Sequence, residues 1–308
     1  MDKIVSVIQT SLPVFIALLL GIFCRSKSFI DRNGVEALKK VVINLTLPFV
    51  LLNAFATAQY STATIVIPVL MFAVCCIALG IGFLVKRLFH LNSRLIPFLA
   101  AGCEAGMLGY ALFVLLFPQH NVSSFAILDI GQTLFVFTIF KILISGNHSP
   151  KQILRDMAKT PILWATIIGV IIGATGLYGK MQAWQISGLL DSTTEFLSAP
   201  TGMIILLVIG YDLSVKKIPW KKTAGIIALR FFTMVISYII IITVNRVFLG
   251  GMIFEGAALL MFILPPPFVI PVFADDPKER SLVSASLSAL TLCTIVFFTL
   301  WVAALGVN

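Results

Sequence analysis

The chain of 308 residues is 59% hydrophobic and 11% charged, with a mean hydropathy of +1.05 and a formal net charge of +9. A soluble domain carries about 25% charged residues, so this composition excludes a soluble protein and predicts an integral membrane protein. Apolar runs of about 20 residues are typical of membrane helices, whereas a transmembrane β-barrel has shorter, alternating strands. The positive charge does not indicate a nucleic-acid partner, because the basic residues lie in the connections between the apolar runs.

Ten apolar segments follow one another along the chain, and each is long enough for a membrane helix. We number them spans 1 to 10. They cover about 5–24, 41–58, 62–85, 95–117, 122–144, 161–178, 186–213, 224–246, 254–273 and 282–305. The sequence therefore predicts an all-α integral membrane protein with ten transmembrane helices.

The second half of the chain repeats the plan of the first. The matching features are Pro13 with Pro161, Pro48 with Pro200, and the segment Gly102–Gly109 with Leu264–Pro267. Because each half has five spans, an odd number, the second half must enter the membrane from the opposite side. We predict two inverted five-helix repeats, 1–146 and 161–308, joined by a cytoplasmic linker at 147–160.

The distribution of basic residues predicts the orientation. Of the 22 Lys and Arg residues, 18 lie in the connections between spans 1–2, 3–4, 5–6, 7–8 and 9–10, counting Lys141 near the end of span 5. The opposite side holds Lys3, Lys180 and Arg246. Cytoplasmic loops carry an excess of Lys and Arg, so we expect both termini to lie outside the cell. The first span lacks a small-residue cleavage site and should stay in the mature chain.

Spans 4 and 9 contain residues that interrupt a helix. Span 4 carries three glycines and one carboxylate within Gly102–Gly109, and span 9 carries the triple proline of Leu264–Pro267. Glycine weakens a helix, and prolines remove backbone donors. Interrupted helices at corresponding positions of two repeats indicate the binding site of a transporter. The candidate substrate-binding residues in these spans are Glu104, Gly106, Gly109, Pro265, Pro266 and Pro267.

Few ionisable residues lie within the predicted spans. Apart from charged residues near the span ends, they are Glu104, Asp129, Asp191, Glu195 and Arg230. A charge near the bilayer centre costs at least about 2.5–3.5 kcal/mol, so Glu104 must be paired, protonated or facing water. We predict that it binds a coupling proton or the substrate; the alternative is a structural pair with Arg230. Arg230 either contacts an anionic substrate or extends to the membrane surface. Glu195 is a second candidate for ion coupling, although it and both aspartates can also face an outer aqueous vestibule.

Spans 2 and 7 each carry a proline beside polar residues: Asn44 and Pro48 in span 2, and Pro200 and Thr201 in span 7. A helix end freed by proline presents backbone amides that suit a carboxylate. We predict that these four residues contribute to substrate binding. The alternative is that the prolines form kinks for packing.

Five different short motifs follow one another along essentially the whole chain. They are Asn44–Pro48, Gly106–Gly109, Ala199–Leu206, Gly210–Leu213 and Leu264–Ala274. Together they resemble the auxin efflux carrier family of membrane transporters. The resemblance implies a fold related to bile acid–sodium symporters, with a scaffold domain from spans 1, 2, 6 and 7. It also implies a transport domain from spans 3–5 and 8–10, in which broken helices 4 and 9 cross at the site.

The chain is similar to the compact bacterial members, which look like permeases for malate, malonate and similar anions. It has no long hydrophilic loop in mid-chain. It departs from the family pattern at Glu104, where members commonly have asparagine, and at Ala111, where they commonly have proline. The first departure changes the charge of the implied site.

These observations predict a secondary active transporter of a small organic anion, a carboxylate, working by elevator-type alternating access and coupled to protons. The alternatives are a sodium-coupled symporter, or a substrate sensor or channel on the same fold. The absence of a P-loop argues against ATP as the energy source. A membrane enzyme is not favoured, because the chain has a single acidic pair rather than clustered aspartates. We predict no metal or cofactor, a place in the cell membrane, H+ or Na+ as coupling ion and, by resemblance, a homodimer.

Overall fold

The computed structural model describes residues 2–58, 60, 63–145, 155, 158–213, 219–273 and 276–305, and the regular elements in these residues are all helical. The first half contains α1 (Asp2–Ser26), α2 (Arg32–Val41), α3 (Leu47–Ala56), α4 (Ala63–Leu88), α5 (Ile96–Leu99), α6 (Tyr110–Leu116), α7 (Ser123–Phe135) and α8 (Lys141–Ser145). The second half contains α9 (Pro161–Ala174), α10 (Leu177–Ala183), α11 (Ser187–Ser198), α12 (Thr201–Asp212), α13 (Trp220–Phe248), α14 (Glu255–Ile263) and α15 (Pro277–Leu305). Of the predicted linker 147–160, the description covers residues 155 and 158–160.

Several of these helices are joined by short turns of different helical geometry. Turns of π-helix occupy Val42–Thr46, Ala105–Gly109 and Val136–Phe140, and a 3-10 turn occupies Ile270–Phe273. Single π turns are common at functional sites, because they shift the hydrogen-bond register of a helix. The turn at Ala105–Gly109 lies within the predicted binding region.

Five helical stretches in the described residues are long and apolar enough to cross a membrane. They are Thr64–Leu88, Ser123–Ile144, Ser187–Asp212, Thr223–Phe248 and Pro277–Ala304. A sixth is obtained when α9 and α10, which are bent by 64° at their junction, count as one span. The chain is thus a multi-pass helical membrane protein. The ten-span inverted repeat stays a prediction, and predicted spans 4 and 9 are each divided into shorter pieces.

One group of helices is held together by close backbone contact. Helix α1 packs along α12, and α3 packs against α9 and α11. A Cβ added at Gly21 would lie 2.0 Å from the carbonyl oxygen of Leu207, and one at Gly210 would lie 2.1 Å from that of Leu18. Small residues let membrane helices approach in this way. No larger residue fits at either position without moving the pair apart.

A second group forms around the two interrupted spans. Helix α4 packs against α7 and α13, and α13 also contacts α14 and α15. A Cβ added at Gly131 of α7 would lie 2.1 Å from the carbonyl oxygen of Pro68 in α4. This group meets the first where α6 contacts α12 and where α7 contacts α3. The divided span that contains α6 therefore lies along the boundary between the two groups.

Candidate functional site

Helical structure stops after α5 and resumes at Ala105, which leaves a first break at residues 100–104. Within it, Gly102 has a φ of +69°, in the left-handed region that glycine adopts without strain. A Cβ added there would lie 3.1 Å from Cγ of Pro267. Glycine at this position therefore satisfies both the backbone conformation and the close approach of the triple proline.

The second break covers residues 264–269, between α14 and the 3-10 turn at Ile270. Pro265, Pro266 and Pro267 are all buried in it. Proline has no backbone N–H, so these three residues leave no buried donor without a partner. Their carbonyl groups remain available, and that of Pro265 accepts a hydrogen bond from the N–H of Glu104 at 2.8 Å. The two interruptions predicted from sequence are therefore in direct contact.

The carboxylate of Glu104 links the breaks a second time. Its Oε2 accepts the backbone N–H of Phe268 at 2.6 Å, and its Oε1 accepts that of Met107 at 3.3 Å. The side chain is half-buried and lies at the beginning of the continuous helical segment Ala105–Leu116. The positive end of a helix dipole favours a negative charge there. This carboxylate therefore uses amide donors of the type that we predict for the substrate.

Two further amides at this helix end have no partner. In the described residues, the backbone N–H groups of Ala105 and Gly106 donate no hydrogen bond. The first N–H groups of a helix lack intrahelical partners. Gly106 is half-buried, and a Cβ added to it would meet Cδ2 of Leu47 at 3.7 Å. These donors thus lie where the first break faces the beginning of α3.

Arg230 lies on α13 and is buried, with 3% of its surface exposed. Its Nη2 donates to the carbonyl oxygen of Leu264 at 2.9 Å and lies 3.6 Å from Sγ of Cys103. It forms no ion pair with Glu104, and it does not extend to the surface. The reason is that the guanidinium instead binds the C-terminal end of α14, where the helix dipole favours a cation. Its Nε and Nη1 have no hydrogen-bond partner in the described residues.

Side chains from neighbouring helices donate to three carbonyl groups in or beside the breaks. These donors were not predicted from sequence; the available signal was polar residues within apolar helices. The pairs are Thr233 Oγ1 to Ala100 O at 2.9 Å, Thr294 Oγ1 to Ile263 O at 2.6 Å, and Gln132 Nε2 to Cys103 O. The breaks are thus built into a fixed surrounding rather than left as loops.

Asp129 on α7 is buried, with 7% of its surface exposed. Its Oδ2 accepts the hydroxyl of Tyr110 at 2.8 Å, and its Oδ1 accepts the hydroxyl of Thr133 at 3.0 Å. Tyr110 is the first residue of α6, immediately after the π turn. Asp129 therefore contacts the interrupted helix rather than an outer vestibule.

The two predicted residues of span 2 differ in their exposure. Asn44 is exposed and donates to the carbonyl oxygen of Lys40 at 2.9 Å, whereas Pro48 is buried. The π turn at Val42–Thr46 joins α2 directly to α3, and Pro48 follows it as the second residue of α3. The helix thus continues past Pro48, because the extra residue of the π turn shifts the hydrogen-bond register there. The freed helix end expected at Pro48 is therefore not formed.

In span 7, Pro200 is exposed between α11 and α12, and Thr201 is buried with no partner for its Oγ1 in the described residues. A Cβ added at the adjacent Gly202 would lie 3.9 Å from Cβ of Ala111 in α6. The beginning of α12 thus faces the interrupted helix. Glu195 lies one turn earlier on an exposed part of α11, and in the described residues no hydrogen bond joins its carboxylate to either break.

Outside the breaks, one cavity of about 360 Å³ lies at the N-terminal end of α7. Thr57, Ser123 and Ser124 contribute hydroxyl groups to its wall, and Asn121 donates to Oγ1 of Thr57 at 3.1 Å. Across the described ranges, no three His, Cys, Asp or Glu residues are grouped so as to hold a metal ion.

Comparison with known proteins gives a relative over nearly the full chain. The protein is 24% identical over 303 residues to an uncharacterized transporter of Methanocaldococcus jannaschii, which covers 94% of this chain and 96% of the relative. No family model matches the chain. The apolar helices and this relative support a multi-pass membrane transporter, and a transporter name is consistent with a protein that is not an enzyme. Membership of the auxin efflux carrier family stays a prediction.

Proposed function

We propose that the protein is a secondary active transporter in the cell membrane that binds a small carboxylate where the two breaks meet. One observation carries the proposal: the junction already binds a carboxylate, that of Glu104, through N–H groups on both sides. Backbone amides at a helix N-terminus are an anion-binding arrangement that needs no lysine or arginine. A substrate carboxylate has the same chemistry as the side chain that now occupies these donors.

The donors near Glu104 support a small substrate with one or two carboxylates. The unpartnered amides of Ala105 and Gly106 suit one carboxylate. Arg230 has two nitrogen atoms without a hydrogen-bond partner and contacts both breaks, at Cys103 and Leu264. A buried guanidinium is stabilised when a carboxylate pairs with it. We therefore propose that Arg230 favours dicarboxylates over their monocarboxylate analogues.

The partners of Glu104 support coupling to a proton. Backbone N–H groups can donate but cannot accept, so they bind the ionised side chain better than the protonated one. Protonation of Glu104 removes its charge and weakens its bonds to Phe268 and Met107. A substrate carboxylate can then use the donors that Glu104 releases. One proton and one carboxylate would thus bind together, which is anion–proton symport.

Helix packing supports the elevator-type movement implied by the family resemblance. In the group of α1, α3, α9, α11 and α12, paired helices touch through glycines, as where Gly169 of α9 would place a Cβ 2.8 Å from the carbonyl oxygen of Leu52. Such pairs suit a group of helices that stays together as a unit, and the second group has one as well, between Gly131 of α7 and Pro68 of α4. We propose that the group around α4, α7, α13, α14 and α15 moves against it and carries both breaks, within a ten-span inverted repeat.

Counterflow in proteoliposomes tests transport directly. Vesicles loaded with unlabelled malonate should take up labelled malonate from outside, whereas protein-free vesicles should not. A panel of small mono- and dicarboxylates extends the test if malonate is a poor substrate. Binding of these compounds without exchange would show a sensor instead. Exchange that needs a sodium gradient and ignores pH would favour the sodium-coupled alternative.

Cysteine labelling tests the proposed orientation. A cysteine at Asn121 should react with an impermeant maleimide from outside intact cells, and one at Ser149, which lies outside the described residues, should not. The chain without either substitution controls for its five native cysteines. Labelling of the Ser149 variant from outside would overturn the inverted repeat.

A further inference from the structure

Asp129 is a buried acid that the proposed substrate site does not use. It lies within the candidate span Ser123–Ile144, and among the described residues no Lys or Arg forms an ion pair with it. An unpaired carboxylate within a membrane segment is costly, and such residues commonly bind ions or protons. The carboxylate therefore needs an explanation beyond packing.

The two hydrogen-bond partners of Asp129 are hydroxyl groups, which can bind both the ionised and the protonated form of its side chain. Tyr110 and Thr133 donate to the two oxygens of the ionised carboxylate at 2.8 and 3.0 Å. A hydroxyl can also accept a hydrogen bond after its hydrogen rotates. A protonated Asp129 can donate to one hydroxyl while it accepts from the other. Both states of the acid are thus hydrogen-bonded without movement of any heavier atom.

We infer that Asp129 is a second proton-binding site of the protein, which takes up and releases a proton while the surrounding helices stay in place. The proton comes from water and forms an O–H bond with one carboxylate oxygen, which neutralises the side chain. Tyr110 connects this change of charge to the beginning of α6 and so to the first break. The part of Asp129 in transport rests on the proposed function, but its protonation does not.

The groups around Asp129 explain why its proton matters to the substrate site. The titratable groups that interact with it are Cys75 of α4, Cys103 and Glu104 of the first break, and Tyr110 of α6. In the described structure, α3 and α14 also pack against α7 but bring no charged side chain to Asp129. Because Glu104 and Asp129 repel each other when both are ionised, neutralising one favours the ionised form of the other.

Infrared difference spectroscopy of the full-length protein in lipid vesicles tests the inference without any substrate. A protonated carboxyl group has a C=O stretching band that an ionised carboxylate lacks. We expect a band of Asp129 to appear as the pH is lowered, to disappear in Asp129→Asn and to persist in Glu104→Gln, which should lose only the separate band of Glu104. Asp191→Asn is the matched control, because Asp191 also accepts from a tyrosine hydroxyl, that of Tyr178 at 3.1 Å. A spectrum of Asp129→Asn identical to wild type would overturn the inference.

A second variant keeps the test decisive should Asp129→Asn fail to fold. Tyr110→Phe removes one hydrogen bond to the ionised carboxylate, so the band should persist but appear at a pH about one unit higher. Tyr178→Phe should leave it unchanged. A band that does not move in Tyr110→Phe would also overturn the inference. If the Asp129 band fails these tests while malonate counterflow is intact, the inference is wrong and the proposed function stands. If the band behaves as expected but no counterflow occurs, the proposed function is wrong and the inference stands.

Discussion

Glu104 and Asp129 are two acids within the apolar interior, and they differ in the kind of group that binds them. Backbone N–H groups of Phe268 and Met107 bind Glu104, and hydroxyl groups bind Asp129. An amide can donate only, whereas a hydroxyl can exchange donor and acceptor roles. The same proton should therefore loosen the structure at Glu104 and leave it unchanged at Asp129. Protonation should thus change the conformation at Glu104, whereas Asp129 should only bind and release a proton. The difference lies in the hydrogen-bonding partners of the two acids rather than in their burial.

The backbone around the two acids also differs in regularity. Glu104 connects two irregular segments that helical hydrogen bonds do not fix. Asp129 lies inside a regular helix, and Thr133, one of its partners, is one turn further along that helix. Protonation at Glu104 thus acts on the weakest part of each interrupted span. We expect substitutions near Glu104 to change binding and movement directly, and substitutions near Asp129 to change its proton affinity first and binding only through its charge repulsion with Glu104.

The largest effect is expected for Arg230→Gln. This substitution tests whether the guanidinium binds the substrate or instead pairs with Glu104 or Asp129. Loss of a charged hydrogen-bonding partner costs about 1.5–3 kcal/mol, or about 10–100-fold in affinity. A dicarboxylate such as malonate should lose this much by calorimetry, and a monocarboxylate such as acetate much less. Arg246→Gln, which removes an exposed ion pair with Glu255, is the control. Equal losses for both ligands would remove Arg230 from the site.

The next effect concerns the packing that keeps the breaks together. A Cβ added at Gly109 would lie 2.5 Å from Cζ of Phe125 and 2.8 Å from Cδ1 of Leu264. Gly109→Ala should therefore destabilise the protein by about 1–3 kcal/mol, the usual cost of overpacking. Gly225→Ala is the control, because nothing lies within 4 Å of its added Cβ. Thermal unfolding in detergent measures both, and equal melting temperatures would contradict the close packing.

The smallest effect is expected for Thr133→Val, which sharpens the assignment of Asp129. The substitution removes one hydroxyl of the pair while it keeps the shape of the side chain. The carboxyl band of Asp129 should appear at a higher pH by up to about one unit, and malonate affinity should change only slightly, through the charge repulsion between Asp129 and Glu104. Thr138→Val serves as the control, because its hydroxyl binds the carbonyl oxygen of Leu134. A clear loss of malonate affinity in Thr133→Val would show that Asp129 is part of the substrate site.

Local chemistry made the two breaks predictable. The glycines of Gly102–Gly109 and the prolines of Leu264–Pro267 act on their own backbone, so the sequence indicates where a helix stops. Asp129 and Thr133 are likewise four residues apart, the spacing of neighbours on one helix face. The π turn at Val42–Thr46, which removes the expected helix end at Pro48, depends on hydrogen-bond register and leaves no compositional signal.

The partners of the charged residues could not be predicted in the same way. Both a carboxylate and a carbonyl suit a guanidinium, and the packing of α13 against α14 selects the carbonyl of Leu264 for Arg230. Tyr110 reaches Asp129 because the interrupted helix turns it toward α7, which requires the three-dimensional arrangement. Sequence thus indicated which residues are costly in a membrane, and the fold decided what satisfies each one.

The most direct test of the central claim is the pH dependence of malonate binding and accumulation in Glu104→Gln. In wild type, apparent affinity should improve as the pH falls, and an inward proton gradient should drive uphill accumulation. The variant mimics the protonated acid, so it should still bind and exchange malonate but lose the pH dependence and the accumulation. Glu195→Gln, on the exposed part of α11, should behave as wild type. Normal proton-driven accumulation in Glu104→Gln would contradict the account.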